Sequence, residues 1–514
     1  MKHITVSLAL CMAAAAQAQT APSDSLFNTD QVTSVYLTFA DADFWDQLTT
    51  HYANDLGETL SGDVTITDQT GTYTRYNVEV DLKGNSSYGH PGIKKSFKVD
   101  FNDNISGQKY HGMTKLHFNN CWSDPTFMRE KIFFDHCQEV GILAPRVQYA
   151  NVYMNGALWG FYNLVEAVDN NFLDRHVDDN NGNLFKAADN FGMGSGGGGD
   201  AEADLEWYGM DPASYYTRYD LKTNETENDW TDLIELLDLL NNGSNEELAT
   251  QLPATFEWRP LLRSLAIDNV FGNMDAYIQS GRNYYLYHDS TTFLWNWIHW
   301  DANMAFGSYP SMGQNALTLS PTYVANNRAL MSKLMTVPAL RTEYLNAYCG
   351  LLDNFTNNYF DPKIDAIAAL IRPHVEADPN KQYTIAQFTS NITNDVPVNG
   401  GGPGGNQTLR GLKSFINQRS SNLAGSLDCN GVGLVENSVE MDITIAPNPT
   451  RDRIMISLPN GRSLKNIALH DAMGRSLQLV ANGNVVDLSS LPSGLYTISV
   501  EVEGNSFRKQ VAKE

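Results

Sequence analysis

The sequence predicts an α+β chain that ends in a small β-sandwich, and three observations carry that expectation. Residues 30 to 118 run in short apolar–polar alternations between turn residues. The stretch between two glycine-rich segments has helical periodicity, and after Cys429 short strand-like runs return.

In the first region, "SVYLTF", "GDVTITD", "YNVEVDLKG" and "KSFKVDF" read as strands, and "KGNSSYGHPGIKKS" (83 to 96) reads as a loop closing on two lysines. "PTFMREKIFFDHCQE" (125 to 139) reads as a helix, with Phe127, Ile132, Phe133 and Phe134 on its apolar side. Strands return at "VQYANVYMNG" and "LWGFYNLVEAV". Four helical stretches follow: "WTDLIELLDLLNN", "WRPLLRSLAIDNVFGN", "ALMSKLMTVPALRTEYLNAYCGLL" and "PKIDAIAALIRPHVEAD". The low-complexity segments at 192 to 204 and 398 to 407 read as flexible loops. The first is no phosphate cradle, because acidic residues follow it where a helix and a lysine are required. "DITIAPNP", "RIMISL", "NIALHDAMG", "SLQLV" and "GLYTISVEVEG" supply the terminal sandwich.

The expected organisation is a signal peptide at 1–18, a main domain at 30–428, a linker at 429–440 and the sandwich at 441–514. Lys2 and His3, the apolar "ITVSLALCMAAAA" and "AQA" before Gln19 make the export signal. Leu10 before Cys11 is too large for a lipid-modification site, so plain cleavage is expected. No later apolar run is long enough to span a bilayer, so an exported, soluble mature chain is expected. The formal charge of -24 excludes nucleic acid as a partner, since a phosphate backbone is repelled over most of such a surface. Export places Cys121, Cys137, Cys349 and Cys429 in an oxidising compartment. Their spacing matches no zinc site, and a local Cys121–Cys137 bridge is one of three pairings.

The chemistry centres on "IHWDANMAFG", where Asp301 sits in apolar company that is costly for a carboxylate without a positive partner. "NYYLYH" and "FLWNWIHW", joined by "DSTT", read as a hairpin. Its return brings Asp301 to the end where the loop holding Asn273 and Asp275 begins. Two carboxylates 26 positions apart (301 minus 275) thereby converge, an arrangement suited to a nucleotide–Mg²⁺ site with Asn283 as a further ligand. Capping a turn, or pairing with a buried Arg or Lys, is the alternative for Asp301.

"KGNSS…KKSFKVDF", "NGALWGFYNLVE", "GNMDAY…RNYYLY" and "WDANMAFG", in this order over residues 34 to 425, resemble the spore coat protein H (CotH) kinase family. The resemblance implies an atypical protein-kinase-like core with insertions, ATP and Mg²⁺ or Mn²⁺ as cofactors with Ca²⁺ as an alternative ion, and transfer of the γ-phosphate to a protein hydroxyl, on a substrate or on itself. It implies Asp275 as the catalytic carboxylate, Asp301 as the metal ligand and Asn283 as its helper. Lys95, with Lys94 as the alternative, is implied as the phosphate-neutralising lysine and Glu166 as its partner; Lys83 and Arg129 are further binding residues. The family's Trp-Asp-x-Asp departs here to Asn303, which coordinates through its amide oxygen without adding charge.

"APNPTRDRIMISL", "LHDAMGRSL" and "VDLSSLPSGLYTISV" resemble the type A C-terminal sorting domain of the type IX secretion system. That resemblance implies handling by the secretion machinery and a secreted or cell-surface location. Two other readings follow from the same residues. One is a surface or matrix binding protein that keeps the kinase-like fold around a structural divalent cation. The other is a carbohydrate-associated protein using Trp207 and Tyr208.

Overall fold

The computed structural model describes residues 23–513 apart from 28–29, 55–56, 85–86, 178, 189–201, 310–313, 399–406, 428, 430–443, 459–465, 471–475, 478–479 and 503–504. The expected signal peptide, most of both glycine-rich loops and nearly all of the linker lie outside the described residues. The chain divides into two compact units, Met1–Gly433 and Leu434–Glu514.

The first unit begins with a barrel. Strands β1 (Thr33–Thr38), β2 (Leu60–Asp68), β3 (Gly71–Lys83), β4 (Ser96–Asp100), β5 (Lys115–Asn119), β6 (Val147–Met154) and β7 (Ala157–Glu166) close in the order β1-β2-β3-β4-β5-β7-β6. All neighbours are antiparallel except β1 and β6, whose parallel pairing completes the ring. The alternation read in the sequence supplies the interior: Val78, Val80 and Leu82 from β3, Phe97 and Val99 from β4, Leu116 and Phe118 from β5. Closure leaves no open sheet edge.

A second sheet, β8 (Asn183–Ala187), β9 (Tyr219–Leu221), β10 (Tyr284–His288) and β11 (Trp295–His299), has the order β11-β10-β8-β9. Its β10–β11 hairpin pairs Tyr284 with His299 at one end and His288 with Trp295 at the other. Helix Trp258–Val270 packs on β11 and on helix Pro338–Leu352. The helical run expected over 329–352 is broken into Ala329–Thr336 and Pro338–Leu352. Val337, at ψ 112°, takes the extended backbone that a following proline imposes.

The cysteines pair as Cys349–Cys429, and Cys121 and Cys137 are buried thiols. The local Cys121–Cys137 bridge is not formed: Cys121 Sγ lies 3.6 Å from the Asn119 carbonyl, and Cys137 is buried in helix Arg129–Glu139.

Barrel and helices are joined by a charge pair. Lys94 Nζ donates to Asp378 Oδ2 at 2.6 Å, and both side chains are fully buried. The same carboxylate oxygen accepts from the Phe161 backbone N–H at 3.1 Å, and Oδ1 accepts from Asn380 N–H at 2.8 Å. The rings of Phe127 and Tyr162 flank the ammonium at 4.9 and 5.0 Å.

The second unit is built from two four-stranded sheets around one core of Ile454, Ile456, Leu469, Val486, Leu488, Tyr496, Ile498, Val500 and Val511. Asn448, between Pro447 and Pro449, donates to the Gln510 carbonyl at 2.9 Å and accepts from Ala512 N–H at 2.8 Å. That pair of bonds fixes the motif to the last strand.

Removing one partner of the barrel–helix pair strands a buried charge. Asp378→Ala is expected to lower unfolding free energy by about 3–5 kcal/mol in a denaturant titration, and Lys94→Met with Asp378→Leu to recover most of it.

Candidate functional site

The end of the β10–β11 hairpin and the loop after helix Trp258–Val270 meet through Asn283. Its Nδ2 donates to the Asp275 carbonyl at 2.8 Å, and its own carbonyl accepts from Trp300 N–H at 3.1 Å. Ser280 Oγ adds a second bond to the Asp275 carbonyl at 2.6 Å. One asparagine thus ties the Asp275 backbone to the residue preceding Asp301. Asp301 itself has φ +47° and Asn283 +60°, left-handed positions that Asp and Asn tolerate better than other side chains.

Across from this end lies the rim of the barrel. Lys83 closes β3, and its Nζ stands 5.3 Å from the Trp300 ring centroid. Helix Arg129–Glu139 places Glu130 in its first turn, 1% exposed. Asn119 and Asn163, opposite each other on β5 and β7, both turn their amides to it. Asn119 Nδ2 reaches the two carboxylate oxygens at 3.0 and 3.1 Å, and Asn163 Nδ2 reaches Oε2 at 3.3 Å. Burial, followed by the charge of Asp301, pushes Glu130 up to about 7; the Asn119 bonds and Lys83 pull the other way. Lys83, Glu130 and Asp301 therefore share one electrostatic field. Glu130 is the member that sequence reading missed. Its signal was present: Phe133 and Phe134, three and four positions on, put Glu130 on the buried face of the helix.

The remaining residues expected at the site have other attachments. Lys94 is bound to Asp378 as described. Lys95 Nζ donates to the carbonyls of Tyr88, at 2.6 Å, and His90, which closes the loop after β3 on itself. Burial lowers its pKa. Glu166 does not meet Lys95. Arg146 Nε donates to it at 2.9 Å and His176 stands at 3.5 Å. Burial acts to raise Glu166, but hydrogen bonds from His176 and Arg146 outweigh it and bring the carboxyl down to about 2. Arg129 is fully buried. It donates to Ser308 Oγ at 2.6 Å and Asn391 Oδ1 at 2.9 Å, while its backbone N–H meets Asp124 at 2.8 Å. It holds the segment after Asp301 against the C-terminal part of the unit.

Asn303 Nδ2 donates to the Trp122 carbonyl at 3.2 Å. The amide nitrogens of Asn283 and Asn303 are thus spent on backbone, which leaves their oxygens as the groups to meet a cation. With the Asp301 carboxylate these are hard oxygen donors of the kind Mg²⁺ takes, a carboxylate or two completed by phosphate and water. Among the described residues, no group of three or more His, Cys, Asp or Glu side chains is set to hold a metal ion alone. Oxygen donors of this kind would suit an ion that arrives with phosphate. Trp207 is partly buried and packs on the main core, while Tyr208 donates to Asp204 beneath the Arg218 guanidinium.

Residues 80–423 match the family model described as CotH kinase protein, and residues 444–514 match that of the secretion system C-terminal sorting domain. The inner spore coat protein H of Bacillus subtilis (strain 168) is 27% identical over 316 residues, which cover 60% of this chain and 82% of that protein.

Glu130 has a raised pKa in the fold, so between the ordinary carboxylate range and about 7 the folded chain binds a proton that the unfolded chain has released. Thermal stability without nucleotide or divalent ion is expected to fall as pH rises through that window. Glu130→Gln is expected to flatten the slope, as read by melting curves from pH 5 to 8.

Proposed function

The chain belongs to the CotH kinase protein family, and on that premise we propose that it is an exported, metal-dependent protein kinase built on a kinase-like core. The observation that carries the reading is the placement of Lys83 against Trp300, the neighbour of Asp301, with buried Glu130 held by Asn119 and Asn163 at the same barrel rim and the Asp275 backbone tied alongside through Asn283. Protein kinases need a strand lysine, a helix glutamate and a metal-binding aspartate in one place, because phosphoryl transfer is catalysed mainly by positioning and charge stabilisation.

In this reading Lys83, at the end of its strand, neutralises phosphate charge. Glu130 holds the ammonium in place and is itself aimed by Asn119 and Asn163. Lys83 takes this role because it stands against Trp300, next to Asp301, and its charge reaches Glu130, whereas Lys94 binds Asp378 and Lys95 closes its own loop. Asp301, with the amide oxygens of Asn283 and Asn303, holds the divalent ion, which screens the charge of the transferring group when bound. Asp275 accepts the proton of the acceptor hydroxyl, its backbone fixed by Asn283 and Ser280.

The sorting tail implies a secreted or cell-surface protein handled by the type IX secretion machinery. Among the described residues no helix is long and apolar enough to cross a membrane. We propose cleavage of the signal peptide at 1–18 as the first step of that route.

Purified protein with Mn²⁺ or Mg²⁺ and γ-labelled ATP is expected to label itself or a generic protein substrate, and Asp275→Ala and Asp301→Ala to abolish labelling. Lys83→Ala is expected to lower kcat/KM roughly 100-fold or more, whereas Lys95→Ala leaves the ATP-dependent thermal shift in place. Absence of both labelling and an ATP-dependent shift, with a shift on Ca²⁺ alone, would assign the fold to binding instead. Asn303→Asp adds a charge to the ion's ligands and is expected to lower the metal concentration giving half-maximal labelling.

A further inference from the structure

Behind the two acidic loops lies a buried polar cluster that the reading above does not use. Asp268, on the last turns of helix Trp258–Val270, Asn273, in the loop that follows, and His299, at the end of β11, are each 1% exposed. Asn273 Nδ2 donates to Asp268 Oδ1 at 2.9 Å, and Asn273 N–H donates to the Asp268 carbonyl at 2.8 Å. His299 Nδ1 stands 3.7 Å from the same carboxyl oxygen. Burial raises Asp268 well above the carboxylate range, and it lowers His299 to about 3 against the opposing effect of the Ser264 backbone. The cluster also reaches the Glu130 helix, since the His299 ring meets Phe133 edge to face at 5.4 Å.

The sequence positions give this cluster its meaning. Asn273 is two residues before Asp275, and His299 is two residues before Asp301. One side chain, Asp268, touches both approaches. Among the described residues, Asp268 Oδ2, Asn273 Oδ1, His299 Nε2 and the nearby Ser264 Oγ are buried with no protein partner. Such groups cost stability relative to apolar side chains of the same size. Packing alone does not account for keeping them. We infer that Asp268 is a positioning residue, which through Asn273 and His299 sets the Asp275 loop and the Asp301 segment in register with each other. The inference rests on the phosphotransfer reading for its catalytic consequence but not for its geometry. Other ties remain without it, including Phe306 N–H to the Phe271 carbonyl at 2.7 Å, so the fold is expected to survive its removal.

The test compares Asp268→Leu and Asp268→Asn in the full chain. Leucine fills similar space without polar groups, and asparagine keeps an oxygen that accepts from Asn273. Asp268→Leu is expected to melt a few degrees below wild type, since the Asn273 amide loses its acceptor, to lose roughly 100-fold in kcat, far more than the stability change explains, and to leave KM for ATP unchanged. Asp268→Asn is expected to restore most of the lost turnover. Hydrogen exchange in Asp268→Leu is expected to quicken in 271–276 and 300–306 together. Full turnover in Asp268→Leu, or turnover and melting temperature falling in parallel with Asp268→Asn no better, would overturn the inference. If wild-type protein labels nothing, the phosphotransfer reading fails by itself, and unchanged exchange in both segments would still refute the positioning role.

Discussion

Glu130 is a carboxylic acid buried at the barrel rim, with the half-buried Asp301 and Lys83 near enough for their charges to act on it. Asp301 repels a charge on Glu130, and Lys83 attracts it. Each surrounding element can be understood as serving that balance. The β5–β7 pairing brings Asn119 and Asn163 together on Glu130, and these amide donors favour its ionised form where burial opposes it. The hairpin register delivers Trp300, whose ring faces Lys83, and Asn283, which binds the Asp275 loop. A site of this kind is poised. With its carboxyl pushed up to about 7, Glu130 takes up a proton readily near neutral pH, and positive charge entering the field would favour its ionised form.

Other buried charges do the structural work, and they share a pattern: each joins segments far apart in the chain. Lys94 and Asp378 are separated by 284 positions, and Arg129 reaches Asn391 across 262. Arg419, fully buried, donates to Asn269 Oδ1 and the Leu319 carbonyl at 2.8 Å and to the Asn269 carbonyl at 3.1 Å. It thereby satisfies carbonyl groups at the C-terminal end of helix Trp258–Val270, immediately before the Asp275 loop. Helix Leu412–Ser426 thus braces the start of the acidic loop, and Asp378, just after helix Asn357–Ala377, braces the barrel. Buried pairs of this sort contribute little net stability, but breaking one is costly, so they select one arrangement of the parts.

These long-range partners explain which features the sequence made legible. The hairpin was readable because its strands, its short connection and its aromatic content are local, and its register then brings Trp300, next to Asp301, and the Asp275 carbonyl onto one residue, Asn283. The barrel strands were readable from alternation, although β5, "KLHFN", was not singled out from the loop residues before it. The lysines were a different matter. Lys83, Lys94 and Lys95 are alike in composition and lie within 13 positions (95 minus 83, inclusive), and nothing local says that Asp378 takes one and two loop carbonyls another. Glu166 was drawn to the site by the "NLVE" motif, yet Arg146 on the neighbouring strand's approach claims it. Partner choice for a charge is a tertiary property.

Asn303 can be placed within the same charge balance. An aspartate there would put a second carboxylate two residues after Asp301. Without an ion, the two like charges would repel each other and cost stability. With an ion, it would strengthen coordination. The amide removes the first effect and forgoes the second, and its nitrogen is used to pin the segment after Asp301 to the Trp122 carbonyl. On the proposed function, a chain exported before it meets nucleotide would have to hold its site together on protein groups alone. In that setting a neutral ligand would favour an intact resting state over tight metal binding, and the charge completing the site would come with the ion.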